Sequence, residues 1–261
     1  MIAPSIPRVA LVTGGAVRLG RAIALALASQ GFAVAVHCHS RRAEAETTAA
    51  EIRALGVPAA VLVADLTRES ETHGLVAAAT AALGPLGVLV NNASTFERDE
   101  WDDATRESWD LHMEPNLRAP FVLAQDFARA LPSLVNGAEA EGVVLNMLDM
   151  RVWSLTPHFV SYTVSKAGLW ALTQSLALAL APRVRVLGIG PGPALPNARQ
   201  SQAQFDRQAA STPLRRGTTP EEVAQAARML LALPSVTGQM LALDGGQHLQ
   251  WAPSGGREPE E

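Results

Sequence analysis

The N-terminal segment constrains the fold of this chain more than any other part of it. Residues 8–13 form a short apolar run typical of a buried strand, and the turn sequence Gly-Gly-Ala-Val-Arg-Leu-Gly follows it at residues 14–20. A helical run starts at Arg21. A glycine turn between a strand and a helix brings free backbone N–H groups close to a phosphate. We therefore predict a dinucleotide-binding unit with Gly14 and Gly20 shaping its turn; an ordinary tight turn is the alternative.

Strand-like and helix-like segments alternate along the rest of the chain. Short apolar runs predict seven strands, near residues 9–13, 33–37, 60–63, 88–91, 143–147, 184–189 and 240–243. Helices are predicted over residues 19–30, 42–55, 68–83, 109–131, 160–180 and 220–233, with Gly31, Gly56 and Gly84 as helix stops. The alternation predicts an α/β fold, a single Rossmann-type domain over residues 1–261. Its core is a doubly wound parallel sheet of about seven strands with helices on both faces.

Composition and charge exclude several classes of protein. Lys and Arg total 21 against 25 Asp and Glu, a net charge of −4, without a basic patch suited to nucleic acid or an anionic membrane. The longest apolar helix, around residues 169–181, is interrupted by polar residues and is expected to be buried rather than to span a membrane. Cys38 is the single cysteine, which excludes intramolecular disulfides and thiolate zinc sites. We expect a cytoplasmic protein with no metal, nucleic-acid partner or membrane partner.

Two segments are expected to lie outside the regular core. Residues 193–213 are polar and helix-like only near 200–210, and we predict that they form a mobile lid over the substrate; a static surface loop is the alternative. Residues 254–261 are rich in Gly, Pro and Glu and are predicted to be a disordered tail.

Tyr162 and Lys166 form a candidate proton-transfer pair. They lie four residues apart, so on a helix they share one face and the ammonium group can sit beside the phenol. A phenol has a pKa near ~10, and a nearby cation favours its ionised form and lowers that pKa. We predict that Tyr162 donates a proton and that Lys166 adjusts its acidity, whereas a solvated helix face is the alternative.

The end of the second predicted strand indicates the cofactor. The sequence there is His-Cys-His-Ser-Arg-Arg at residues 37–42, without the acidic residue that would bind the adenosine ribose of NAD. His39, Ser40 and Arg41 can donate hydrogen bonds to the additional phosphate of NADP. We therefore predict NADP(H) as the cofactor, and a solvated basic turn is the alternative.

Beyond these motifs the chain resembles the short-chain dehydrogenase/reductase family from about residue 8 to residue 246. The matching residues outside the glycine turn and the Tyr–Lys pair are Asp65, Asn91-Asn-Ala-Ser94, Asn116, Gly190-Pro-Gly-Pro193 and Asp244-Gly-Gly246. The resemblance implies cofactor contacts from the glycine turn and from residues after the later strands: Gly14, Arg18, Leu19, Gly20, Asp65, Leu66, Asn91, Ala93, Lys166, Pro191 and Gly192. It also implies that Asn116 keeps a water connected to Lys166 and that the protein is a homotetramer. In such a tetramer helices 109–131 and 160–180 would pair, with Trp170 and Leu178 as candidate contacts.

Two departures from the common family pattern point to a narrower resemblance. Arg18 replaces the usual middle glycine of the turn, and Asp149 replaces the usual catalytic serine thirteen residues before Tyr162. Both replacements resemble the pteridine reductases and dihydromonapterin reductases, as does the run from Asn91 to Phe96. The resemblance implies that Ser94 and Phe96 contact a pterin.

The chemistry of a pterin explains why these replacements could occur together. Reducing a C=N bond requires a proton on a ring nitrogen, and the carboxyl group of Asp149 would add a proton source beside Tyr162. Arg18 could donate to the pterin carbonyl oxygen, and Phe96 could stack on the flat ring. Arg151 and Trp153 match no pterin-contacting motif. Three functions stay open: an NADPH-dependent pterin reductase, an NADPH-dependent carbonyl or imine reductase of another small molecule, and a non-catalytic nucleotide-binding protein.

Overall fold

The central element of the fold is a parallel β-sheet. The structure is a computed structural model and describes residues 1–197 and 199–249. Its seven sheet strands are β1 (Val9–Val12), β2 (Ala33–Cys38), β3 (Ala59–Val63), β4 (Val88–Asn91), β7 (Gly142–Met147), β8 (Val184–Pro191) and β9 (Met240–Leu243). They pair in the order β3-β2-β1-β4-β7-β8-β9, and every pair is parallel. The predicted doubly wound sheet of seven strands is confirmed.

Helices connect the strands, as the alternating sequence pattern predicts. The helices are α1 (Arg18–Ala28), α2 (Arg42–Ala54), α3 (Glu69–Leu83), α4 (Arg106–Met113), α5 (Ala119–Ala130), α6 (Val160–Ala179), α7 (Gln202–Ala210) and α8 (Pro220–Leu231). Gly31, Gly56 and Gly84 follow helices with φ of 81°, 87° and 98°, the left-handed conformation that glycine adopts at low cost. None of the helices in the described ranges is both long enough and apolar enough to cross a membrane.

The sheet is buried on both faces because successive strand residues point to opposite sides. On β1, Ala10 and Val12 pack in a cluster with α1 and α8, whereas Val9 and Leu11 pack in a second cluster with α3, α5 and α6. All four residues are buried. Continuous apolar strands are therefore required here, and the short valine-rich runs of the sequence meet that requirement.

Two local features differ from the predicted elements. A π-helical turn, Glu114–Arg118, interrupts the predicted helix 109–131 between α4 and α5. A small antiparallel hairpin, β5 (Leu134–Val135) and β6 (Ala138–Glu139), lies outside the main sheet. Its turn residues Asn136 and Gly137 have φ of 51° and 81°, as a tight hairpin turn of the Asn-Gly kind requires.

The order of the strands determines where a ligand can bind. The chain winds from β1 towards β3 in one direction and from β4 towards β9 in the other, so the connections diverge between β1 and β4. In open α/β sheets a crevice forms at this point, outside the carboxyl ends of the strands. The segments that follow β1, β4, β7 and β8 all meet there. That the whole chain is one domain stays a prediction, and the predicted tail 254–261 lies outside the described residues.

Candidate active site

In the turn after β1, the backbone at Gly20 lies very close to the backbone at Gly14. Gly14 has φ of 61°, and a Cβ added at Gly20 would lie 2.2 Å from the carbonyl oxygen of Gly14. Both positions therefore require glycine. Arg18, which occupies the position of the usual middle glycine, has φ of 54° and thus holds a left-handed conformation at a cost of about 1 kcal/mol. The turn keeps its shape although one glycine is replaced.

Side chains that follow β1 and β4 hold this turn in place through hydrogen bonds. Asn92 Nδ2 donates to the carbonyl oxygens of Thr13 (2.9 Å) and Gly14 (3.1 Å). Thr13 Oγ1 accepts from the backbone N–H groups of Asn92 (2.9 Å) and Ala93 (3.0 Å). The glycine turn is therefore tied to the end of β4. Asn92 was part of the family motif in the sequence, but its role as a clamp was not predicted.

The side chain of His37 also holds the glycine turn in place. The imidazole is buried, its Nδ1 accepts from the backbone N–H of Gly14 (3.2 Å), and its Nε2 lies 3.1 Å from the carbonyl oxygen of Ala64. These partners select the tautomer with the proton on Nε2. Burial lowers the pKa of His37, so the ring is neutral near pH 7.

A groove of about 460 Å³ runs from this turn past the end of β2. The residues predicted to contact the cofactor that line it are Gly14, Arg18, Leu19, Gly20, His39, Ser40, Arg41, Asp65, Leu66 and Ala93. Asn91 does not line it: its amide donates to Asn146 Oδ1 (2.8 Å) inside the sheet. A cofactor contact by Asn91 stays a prediction that its buried position does not support.

The groove has the charge expected of an anion site. His39, Ser40 and Arg41 are exposed at its far end. Burial lowers the pKa of Arg18, and the positive charge of Arg41 lowers it further. Two cations that repel each other across one groove favour a bound anion between them. Together with a turn that leaves no room for a side chain at Gly20, this arrangement fits the phosphates of a dinucleotide.

Next to the groove, the predicted catalytic residues meet around a cavity of about 280 Å³. Tyr162 Oη donates to Asp149 Oδ2 (2.9 Å), and Lys166 Nζ donates to the carbonyl oxygen of Met147 (2.8 Å). The predicted residues that line this cavity are Arg18, Leu19, Ser94, Phe96, Asp149, Tyr162, Lys166, Pro191 and Gly192. The structure thus brings together the glycine turn, the Tyr–Lys pair and Asp149, which are remote in the sequence.

The acidity of this pair differs from the sequence-based expectation. Burial raises the pKa of Tyr162 well above its ordinary value, the Asp149 carboxylate raises it further, and the Arg151 cation opposes both. Burial lowers the pKa of Lys166 to about 8, with Asp149 acting in the opposite direction. Lys166 donates to the main-chain carbonyl of Met147, and its predicted effect on the acidity of the phenol stays a prediction. Tyr162 is therefore kept in its protonated, donating form.

Asn116 lies in the π-helical turn, where Pro115 interrupts the regular hydrogen bonding of the helix. Its Oδ1 accepts from the backbone N–H of Thr95 (2.8 Å), and its Nδ2 donates to the Thr95 carbonyl (3.0 Å) and to Ser165 Oγ (3.1 Å). The amide thereby joins the segment after β4 to α6. The predicted water link between Asn116 and Lys166 stays a prediction.

Three aromatic rings and a buried arginine form one wall of the cavity. Phe96 stacks on Phe159 with ring centroids 4.5 Å apart and planes within 9°, and it meets Tyr162 edge to face at 4.7 Å. Phe159 therefore covers one face of Phe96, and the guanidinium group of Arg199 lies 5.4 Å from the Phe96 ring centroid. The Arg151 guanidinium lies 5.0–5.8 Å from the centroids of all three rings and is buried. Phe96 and Tyr162 were predicted site residues, but no motif indicated that Phe159 and Arg151 would pack against them.

The predicted lid contains α7 and is attached to the site by two arginines. Arg18 donates to the carbonyl oxygens of Leu195 (3.3 Å) and Pro196 (3.0 Å). Arg199 forms an ion pair with Glu97 and donates to the carbonyl oxygen of Phe96 (2.9 Å). The segment thus lies over the cavity, as predicted, and its mobility stays a prediction.

A buried polar network supports the segment that carries Phe96. Ser161 Oγ donates to the Asp99 carboxylate, and His112 Nδ1 lies 2.7 Å from Ser161 Oγ. His112 Nε2 accepts from the backbone N–H of Glu97 (3.0 Å). This network joins α4, α6 and the segment between β4 and α4, and it was not predicted because its members are far apart in the sequence.

Comparisons with known proteins agree with this geometry. The family model described as "Enoyl-(Acyl carrier protein) reductase" matches residues 15–248. A curated relative, the short-chain dehydrogenase/reductase eriH of Hericium erinaceus, is 32% identical over 248 residues, covering 92% of this chain and 97% of the relative. The 3-oxoacyl-[acyl-carrier-protein] reductase FabG of Aggregatibacter actinomycetemcomitans is 31% identical over 245 residues, covering 90% of this chain and 97% of the relative.

Two solved structures are more similar. The FolM alternative dihydrofolate reductase 1 of Brucella suis, in complex with NADP, has a TM-score of 0.90 and 45% identity, covering 97% of this chain and 99% of that one. The corresponding protein of Brucella canis, also complexed with NADP, has a TM-score of 0.91 and 44% identity, covering 98% of this chain and 100% of that one. These structures share the whole architecture described above.

Proposed function

The chain belongs to the short-chain dehydrogenase/reductase family, and from this we propose that it uses NADPH to reduce a pterin-like substrate, of the type dihydropterin to tetrahydropterin. The observation that carries the proposal is the hydrogen bond between Tyr162 Oη and Asp149 Oδ2, at the position where most members of the family have serine. The similarity to dihydrofolate reductases that bind NADP supports both the cofactor and the substrate class.

The reduction adds a hydride and a proton across one C=N bond, giving CH–NH. NADPH supplies the hydride when it is bound, so the protein has to supply the proton. Tyr162 carries that proton on Oη, which faces the cavity lined by Arg18, Ser94 and Phe96. Asp149 accepts from Tyr162 through Oδ2 and from the backbone N–H of Arg151 through Oδ1, and so it is positioned to relay a further proton.

The substrate ring is placed by residues on several sides of the cavity. Phe96 lines the cavity, and aromatic rings stack favourably on a flat heterocycle. Arg18 supplies N–H groups at the border between the groove and the cavity, where they can meet a pterin carbonyl oxygen. Ser94 lines both spaces.

The reaction is tested by following NADPH oxidation with dihydrobiopterin and with a panel of ketones. We expect the higher kcat/KM with the dihydropterin, and Tyr162→Phe should abolish turnover of whichever substrate is accepted. Preference for a ketone would overturn the proposal in favour of a carbonyl reductase, the activity named for the FabG relatives. NADPH binding without turnover of any substrate would point to a non-catalytic nucleotide-binding protein.

Cofactor preference is a separate prediction. NADPH should be used with a much higher kcat/KM than NADH, because the exposed side chains of His39, Ser40 and Arg41 can meet the additional phosphate. Arg41→Asp should reduce or reverse this preference, since a carboxylate repels the phosphate and accepts from ribose hydroxyl groups. Arg42→Asp changes the charge equally one residue later, outside the groove lining, and is the matched control. A wild-type enzyme that prefers NADH would show the assignment to be wrong.

The proposed assembly is a homotetramer in the cytoplasm. Apolar side chains on the outer surfaces of α4 and α6 are exposed, including Leu111 (40%), Val164 (40%) and Leu178 (83%). Trp170, the other predicted contact, packs edge to face against Trp153 at 6.1 Å within the subunit. Pairing of these helices in a second copy would bury the exposed residues. Light scattering should give four times the chain mass, and a monomer at all concentrations would contradict the proposal.

A further inference from the structure

Arg151 places a positive charge inside the active-site wall. Arg151 is only 4% exposed. Its backbone N–H donates to Asp149 Oδ1 (2.9 Å), and this hydrogen bond fixes the short turn that carries Arg151. The guanidinium carbon lies 5.8 Å from the ring centroid of Tyr162 and 5.3 Å and 5.0 Å from those of Phe96 and Phe159. Burying a cation is costly, and these ring faces compensate part of that cost. The positive charge is thereby held close to the ring of Tyr162.

Arg151 is among the residues that line the cavity, but only 4% of the residue is exposed. Its guanidinium group lies over three aromatic rings, so little of it is available to a substrate. We therefore expect its main effect on the reaction to pass through a neighbour. Of the three rings, only that of Tyr162 carries a proton that the reaction uses.

The charges around Tyr162 come from several elements. Asp149 is hydrogen-bonded to the phenol, Lys166 Nζ lies 5.8 Å from the ring centroid on the same helix, and the ring of His112 on α4 lies 6.0 Å away. Burial lowers the pKa of His112, so that ring is neutral near pH 7. From the lid, Arg199 reaches Phe96 at 5.4 Å. Arg151 is the cation that opposes the Asp149 carboxylate in its effect on the pKa of Tyr162.

When Tyr162 gives its proton to the substrate nitrogen, the O–H bond breaks, an N–H bond forms, and the electron pair stays on the phenol oxygen. That negative charge then develops beside the Asp149 carboxylate, which repels it. We propose that Arg151 is a positioning residue of the reaction, whose buried positive charge stabilises the deprotonated form of Tyr162. The inference rests on the proposed role of Tyr162 as proton donor.

The chain offers a direct measurement, because Tyr162 is its only tyrosine. Biosynthetic replacement of tyrosine by a polyfluorinated analogue, a stronger acid, labels this one site and lowers its ionisation midpoint to a pH at which the fold is intact. A pH titration followed by fluorine NMR then reports the ionisation of residue 162 alone. The cofactor and the substrate are both unnecessary for this measurement.

Arg151→Met should move the midpoint upward by roughly 1–3 pH units, the range for loss of an opposite charge at this distance. Arg151→Lys keeps the charge and should retain most of the wild-type midpoint. Arg98→Met is the matched control: Arg98 lies 5.9 Å from the Phe159 ring, is paired with Glu100, and should leave the midpoint close to wild type. If Arg151→Met does not fold, Arg151→Gln supplies the neutral variant.

An unchanged midpoint in a folded neutral variant would overturn the proposal and leave Arg151 a packing residue. An equal shift in Arg98→Met would also overturn it, because the effect would then be one of overall charge. With a pterin substrate, kcat in Arg151→Met should fall by roughly 3- to 30-fold while the Kd for NADPH stays unchanged. A shifted midpoint in a protein that turns over no pterin would refute the proposed function and leave the assignment of Arg151 standing.

Discussion

Asp149→Ser should lower the kcat for pterin reduction by roughly 10²–10⁴-fold, the range typical of general acid catalysis, while the affinity for NADPH stays nearly unchanged. The carboxylate contacts Tyr162 Oη at 2.9 Å and lines the cavity rather than the groove of the glycine turn. Its removal should therefore affect chemistry and leave cofactor binding intact. Kinetics with saturating NADPH, together with NADPH titration by fluorescence, separate the two effects.

The pH profile gives a second, independent test of the proton-transfer groups. A proton donor must carry its proton, so pterin reduction should fall as pH rises. One limb is expected in both the wild type and Asp149→Ser, because burial lowers the pKa of Lys166 to about 8 and its positive charge is lost above that pH. Tyr162→Phe is the control that removes the phenolic proton in every version of the mechanism. Full pterin activity in Asp149→Ser would show that the carboxylate only caps the turn at Arg151.

Gly20→Ala should weaken NADPH binding by roughly 5- to 150-fold, which corresponds to the ~1–3 kcal/mol cost of overpacking. The new Cβ would lie 2.2 Å from the Gly14 carbonyl oxygen and 2.5 Å from Asn92 Nδ2, so the turn and its clamp cannot both keep their positions. The displaced groups are those that shape the phosphate site. Calorimetric titration with NADPH measures the loss, and thermal unfolding measures the accompanying fall in stability.

Gly74→Ala is the matched control for this change. Gly74 also lies inside a helix, α3, but a Cβ there would meet no atom within 4 Å. Alanine should stabilise that helix by up to about 1 kcal/mol and leave the Kd for NADPH unaltered. Equal NADPH affinities in the two variants would show that the close contact at Gly20 has no role in the cofactor site.

The bounds of the helices could be predicted from the sequence where a clear capping motif marks the start of a helix. The start of α8 is an example: the sequence Thr219-Pro-Glu-Glu222 contains a capping box with proline in the first turn, and the helix begins at Pro220 as predicted. The start of α4 was predicted three residues late. There Thr105 and Ser108 form the reciprocal cap, and serine in place of glutamate gives a weaker sequence signal.

The site was predictable where spacing along one element decides it. Tyr162 and Lys166 lie four residues apart on α6, as their spacing predicts. Asp149 was indicated by the family resemblance instead, and it meets Tyr162 because β7 ends beside α6 in this fold. The contacts of Arg151 with Phe159 and those of Asp99 with Ser161 depend on how a loop packs against a helix. No periodicity or motif in the sequence encodes such contacts. These contacts are visible only in the three-dimensional structure.

The position of Arg18 makes the two halves of the site energetically dependent on each other. Its residue lines both the groove and the cavity, and two of its five N–H donors are used by the carbonyl oxygens of Leu195 and Pro196. A ligand that takes these two donors competes with Leu195 and Pro196, and part of its binding free energy is spent on breaking their hydrogen bonds. By thermodynamic linkage, whatever holds the segment down weakens that ligand by the same factor. One side chain thus converts occupancy of the phosphate turn into a change in how readily the covering segment leaves the pocket.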